Sequence, residues 1–214
     1  METFTAAKLT QLIPLAASLL FSGSVFGDSF KTISRTIDVS LIASIEIQAG
    51  VAEMDIEFYD GDVIELEIEL EAERRWFALR RGNVDEVELE VHTSDAHIYL
   101  GIQDQKVQQR WRMRMPSKLA LAIDVGVGEI ELEDFSNNLE MEVGVGSVRV
   151  DIDDTDYAMI RLSVGVGDAS IEGFGQQRVD NERSFVSADA SYQGDGEMEI
   201  NIDLGVGEAV VRRR

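Results

Sequence analysis

Four aspartates crowd one short stretch of this chain: Asp151, Asp153, Asp154 and Asp156. Hard oxygen donors spaced this closely resemble the opening of a calcium loop, which makes these four the candidate calcium ligands. The stretch lacks the central glycine and the distal bidentate glutamate of such a loop, so a solvated acidic turn is the competing reading. Glu129, Ser147, Asp168 and Glu208 stand at equivalent places beside glycines, and they would form an oxygen-lined row if those places stack. Calcium is the one cofactor these residues invite. The histidines, His92 and His97, lack the helical His-Glu-x-x-His spacing that lets two nitrogens share one zinc. In a regular strand their odd separation would put the rings on opposite faces, which reads as surface or turn histidines.

Catalytic signatures are absent from the sequence. There is no Gly-x-Ser-x-Gly elbow and no glycine loop ending in Lys-Ser/Thr. With no cysteine, the chain can have no disulfide, thiolate metal site, cysteine nucleophile or lipid-modified cysteine. A carbohydrate-processing β-helix enzyme is the rival from another class, since acids abound. Such chemistry needs two carboxylates across a groove, usually with aromatic platforms, and aromatic residues are only 7% of this chain.

Charge is strongly one-sided, at −22 from 41 acidic and 19 basic residues. That surface repels phosphate backbones and excludes a nucleic-acid partner. Nine of the 19 basic residues lie between Arg74 and Lys118. Arg74, Arg75, Arg110, Arg112 and Arg114 are therefore a candidate basic patch for an envelope polyanion or an acidic partner. Cross-strand complementarity is the simpler account for Arg110, Arg112 and Arg114, opposite the glutamate rows at Glu65–Glu71 or Glu86–Glu90.

The elements that must carry these residues are strands. Gly-Val-Gly occurs at Gly126-Val127-Gly128, Gly144-Val145-Gly146, Gly165-Val166-Gly167 and Gly205-Val206-Gly207, with a degenerate copy at Gly50-Val51-Ala52. Before each corner apolar residues alternate with period two, as in Leu121, Ile123, Val125 and Val127; after it they resume on the other parity, at Ile130 and Leu132. Alternation means a strand with one face buried, and a parity flip means a corner or bulge. Counted this way, the valine of each corner faces the core and the first glycine faces out. The glycines are structural, since no helix follows to make them a phosphate cradle. Repeats of about 20 residues that cannot bury a core alone stack on one another. The expected fold is all-β, a β-solenoid or stacked-sheet prism of strand–glycine corner–strand units, with a β-sandwich as the alternative.

The N-terminus reads as an export address: Lys8, an apolar run from Leu12 to Phe21, then small residues with Val25 and Gly27 before a cleavage point. Residues 1–27 are the expected signal peptide and 28–214 a single β-repeat domain, with N-terminal strands over 28–118 and the glycine repeats over 119–214. The mature chain has no second hydrophobic segment, which predicts a periplasmic or cell-surface location. Residues 173–198 carry too little pattern to be placed.

The run Arg112-Met113-Arg114-Met115-Pro116, followed from Leu119 by an alternating strand into Gly126-Val127-Gly128-Glu129-Ile130, resembles the bacterial putative-adhesin domain. The likeness extends over roughly residues 36–211. It implies an envelope or surface β-solenoid-like domain of unknown function with no established catalytic activity. The expected role is a non-catalytic binding or structural module of the envelope, in adhesion or, as the alternative, as a periplasmic accessory in envelope-stress signalling. Met115 stands where that family carries valine before the proline. The expected partner is another envelope or surface component; no feature of the sequence names it or gives the oligomeric state.

Overall fold

The computed structural model describes residues 30–72, 84–102, 104, 106–153, 156–175, 178–183 and 186–214. Within them lie twelve strands and no α-helix: β1 (Phe30–Asp38), β2 (Ser44–Tyr59), β3 (Val63–Ala72), β4 (Glu90–Ser94), β5 (His97–Ile102), β6 (Val107–Pro116), β7 (Ala120–Phe135), β8 (Leu139–Ile152), β9 (Tyr157–Glu172), β10 (Val179–Arg183), β11 (Ala188–Gln193) and β12 (Met198–Arg213). They form one long mixed sheet in the order β1-β3-β6-β2-β7-β8-β12-β9-β11-β10, with β4 and β5 attached to β2. The sheet is not closed into a barrel.

Its centre is a run of five long parallel strands, β2, β7, β8, β12 and β9, in common register. Leu121 of β7 lies beside Leu139 of β8, yet only residues 136–138 join the two strands. A straight 16-residue strand would run about 50 Å, whereas a three-residue link reaches about 14 Å at most. β7 must therefore fold back, so that its end returns near its start. Buried residues show where: Val125 and Ile130 are both in the core, and the bend falls between them. The parity flip in the sequence is this bend.

In-register stacking aligns the core by type. Ile45, Leu121, Leu139, Ile200 and Ile160 form one buried column, and Ile47, Ile123, Met141, Ile202 and Leu162 another. Identical columns let every rung close over the next without a gap, the condition for native packing density.

The sequence could not order the rungs. The last strand, β12, inserts between β8 and β9 and pairs in parallel with both. One outward column explains the choice, for it runs Asp151 on β8, Arg212 on β12 and Glu172 on β9. If β9 packed directly on β8 in the same register, Glu172 would fall beside the nearly buried Asp151. Like charges so placed are destabilising, and β12 interposes the arginine that satisfies one and faces the other.

Candidate corner face and ion-pair sites

The glycine corners stack into two columns. The first holds Gly50, Gly126, Gly144, Gly205 and Gly165, and the second holds Ala52, Gly128, Gly146, Gly207 and Gly167. Steric demand is strongest in the second. A Cβ on Gly146 would sit 1.7 Å from the Gly128 carbonyl oxygen, and one on Gly207 1.7 Å from that of Gly146. Both residues also hold positive φ, 155° and 144°, where L side chains are strained. The bare stripe is thus occupied by the neighbouring rung's own backbone. It is a packing device.

Ala52 explains the degenerate copy. Each glycine's Cβ would point to the rung on the β2 side, and beyond β2 that rung is two strands: β5 ends at Ile102 beside Ala49, and β6, beginning at Val107, brings Gln109 beside Ala52, so no continuous glycine corner faces it. A methyl group fits there. The carbonyl of Ile102, left at this break, accepts a hydrogen bond from Gln109 Nε2 at 2.9 Å, and the Gln109 oxygen accepts one from Trp111 Nε1 at 3.0 Å. Gln109 is buried, so it does for this rung what a continuous glycine corner does for the others.

The valines overturn the parity count. Val127, Val145, Val166 and Val206 are between 44% and 49% exposed, where simple alternation places them in the core. The chain turns across the whole three-residue corner, so the valine loses the inward direction of Val125, and bare glycines on both sides leave its flanks uncovered. With Val51, which is half-buried, these residues make one in-register column across five rungs.

Outward carboxylates border that column on both sides. Asp124, Glu142 and Asp203 line one side; Glu53, Glu129, Glu208 and Asp168, with Ser147 between, line the other. Glu53 is engaged by Arg110 at 3.0 Å, and Asp168 contacts Arg183. Among the described residues no ion pair involves Asp124, Glu142, Asp203, Glu129 or Glu208.

On β6 the charges are matched instead. Arg110 meets Glu53 and Glu69 at 3.0 and 3.4 Å, Arg112 meets Glu67 and Glu69 at 3.2 and 3.0 Å, and Arg114 meets Glu57 and Glu65 at 3.4 and 3.5 Å. A hydrogen bond from Arg112 holds the Glu69 carboxyl below its usual pKa. These three arginines are paired across the strands with carboxylates of β2 and β3, and Arg74 and Arg75 lie outside the described residues.

The aspartate cluster divides among partners. Burial works against ionisation of Asp151, but hydrogen bonds from Arg212 and Arg214 outweigh it and hold its pKa below the ordinary aspartate value. Arg212 is bidentate, at 3.0 and 2.9 Å. Asp156 accepts hydrogen bonds from the Tyr192 hydroxyl at 2.6 Å and from the Asp195 and Tyr157 amides at 3.1 Å each, the first of which chiefly lowers its pKa. Asp154 lies outside the described residues, and among those described no three acids or histidines converge as metal ligands. The roles of Arg212 and Arg214 were not read from the sequence; Arg212-Arg213-Arg214 at the end of an acidic chain was the signal available.

The histidines lie on either side of a turn, within the surface-or-turn reading, but not on opposite faces. A turn at Asp95, with φ of 49°, makes a hairpin of β4 and β5 rather than one strand. Ser94 pairs with His97 and His92 with Tyr99, so both rings share a face. His92 stacks on Tyr99 with centroids 5.8 Å apart, and His97 Nδ1 is 2.9 Å from the Ser44 hydroxyl.

Comparison with known proteins agrees with this architecture. Residues 28–172 match the family described as the N-terminal domain of toast_rack, DUF2154. A crystal structure of a putative cell adhesion protein from Clostridium sporogenes is similar over 86% of this chain and 100% of its own, with TM-score 0.53 at 14% identity, and so shares the fold. A putative adhesin from Bacteroides fragilis, 11% identical, aligns over 86% of this chain and 97% of its own with TM-score 0.28. No curated protein matches the chain.

Proposed function

Because the chain belongs to the family of toast_rack N-terminal domains, we propose that it is a non-catalytic binding module of the bacterial envelope, adhesin-like in type. One observation carries the reading: a column of valines stands exposed on four of its five rungs, where strand alternation alone would bury them. Surface apolar residues scattered singly are ordinary, but an aligned row is the mark of an interaction surface. The short link between β7 and β8 supports a coiled, solenoid-like course for the repeats, which would hold that row rigid. Export by the N-terminal segment 1–27 would deliver the domain to the periplasm or cell surface. Adhesive contact and an accessory role beside a membrane sensor would both use such a face.

The test is fractionation of a bacterial host producing the full chain, with mass spectrometry of the recovered protein. We expect it outside the cytoplasm, starting near Asp28, and held by the envelope in a manner that a Val127→Thr, Val145→Thr, Val206→Thr variant loses. Full-length protein confined to the cytoplasm would refute the proposal.

A further inference from the structure

We infer, on the binding reading just given, that the corner column docks a protein segment carrying an apolar row bordered by lysine or arginine. The apolar part of the match is the valine column. Neighbouring rungs lie about 4.8 Å apart, so five rungs present a ridge about 19 Å long. A helix of about 13 residues has that length. Its apolar stripe, one or two residues per turn, advances by about 5.4 Å and follows the ridge closely.

The cationic part follows from the borders. On the three central rungs, Asp124, Glu142 and Asp203 stand three residues before the valines, and Glu129 and Glu208 stand two residues after. These five carboxylates have no ion pair among the described residues, whereas the glutamates around Arg110, Arg112 and Arg114 are matched within the sheet. Unmatched charge beside an exposed apolar row sets the sign of what can approach, since like charges facing one another across an interface are costly. A second copy would bring the same carboxylates, on a chain of net charge −22. An anionic bilayer would be repelled in the same way. A basic, amphipathic segment of another protein satisfies both borders at once.

The experiment uses the full chain and three synthetic peptides of about 16 residues, long enough to cover the ridge. One has leucines on a helical stripe flanked by lysines, one has the same leucines flanked by glutamates, and one has lysines without leucines. Binding is followed by fluorescence anisotropy at physiological salt. We expect the leucine–lysine peptide to bind at least tenfold more tightly than either control. Val127→Thr, Val145→Thr, Val206→Thr leaves the charge unchanged and should weaken that binding about tenfold or more. Asp124→Asn, Glu142→Gln, Asp203→Asn should also weaken it and reduce its dependence on salt.

Equal binding of the two lysine peptides, or no loss with the threonine variant, would mean diffuse attraction to an acidic surface and overturn the inference. Self-association of the chain that the threonine variant abolishes would overturn it in favour of a second copy. Should the triple threonine variant fail to fold, Val145→Thr alone and the carboxylate variant carry the same test. Envelope retention without peptide discrimination would refute the partner's chemistry alone. Peptide discrimination by a chain that stays in the cytoplasm would refute the exported role and leave the docking chemistry standing.

Discussion

Two faces of the same sheet handle charge in opposite ways. Around β6, arginines alternate outward and each lies between a carboxylate of β2 (Glu53, Asp55 or Glu57) and a glutamate of β3. Along the corners of β7, β8 and β12, carboxylates line both sides of the valine column, and among the described residues none of them has an ion pair. The first face is satisfied by its own strands. The second remains open to a partner. Composition reports only that the chain is acidic; the contrast between the faces shows where that acidity is spent on structure and where it is left over.

The contrast can be broken most severely at its steric foundation. Gly146→Ala and Gly207→Ala each drive a methyl group into a neighbouring carbonyl at positive φ, and we expect a loss of about 3 kcal/mol or more in urea unfolding. Ala52→Gly, at the β2 end of the same column, should cost about 1 kcal/mol or less by the same measurement. Equal effects at the two ends would show that rung contact does not set the glycine requirement.

Next in size is the charge column that orders the rungs. Asp151→Asn should cost about 2 kcal/mol near neutral pH, the loss of a buried carboxylate's hydrogen bonds discounted because both arginines are partly exposed. Its folded pKa lies below the unfolded value, so its contribution is complete above the unfolded aspartate pKa. That contribution is lost as pH falls through the folded pKa. The asparagine variant should therefore lose stability less steeply than the wild type as pH is lowered below about 4. An unchanged acid limb would remove Asp151 from this role. Arg212→Glu should destabilise further than Arg212→Gln, since it would align three carboxylates on consecutive rungs; equal melting temperatures would contradict the ordering role.

Gln109→Leu tests the interrupted rung. It strands the Ile102 carbonyl and the Trp111 indole, and should cost about 1–3 kcal/mol in the same urea unfolding; an unchanged stability would show that water satisfies both groups. The smallest effect belongs to the matched face. Arg110→Gln, Arg112→Gln and Arg114→Gln together should lower the melting temperature by a few degrees at low salt and by less at 1 M salt, because solvent already screens these half-exposed pairs. A large, salt-independent loss would assign them a deeper structural part.

Much of the fold was legible because strands declare themselves locally. Alternation around the glycine corners identified β2, β7, β8, β9 and β12, and the change of parity located the bend of β7. The hairpin at Asp95 was missed because counting His92 and His97 along one regular strand ignores a reversal that only pairing reveals. The valine column was misplaced for a related reason: parity assumes a regular pleat, and a corner suspends it for three residues.

The sequence by itself determined that the rungs are interchangeable in register, since each repeats the same apolar positions and four of the five the same glycine pair. Interchangeability is also why it could not order them, for identical patterns stack equally well in any succession. Tertiary structure decided that β12 lies between β8 and β9, where Arg212 separates Asp151 from Glu172. It also decided that the corner valines face water, because exposure depends on what stands beside a residue in space, and there the neighbours are glycines.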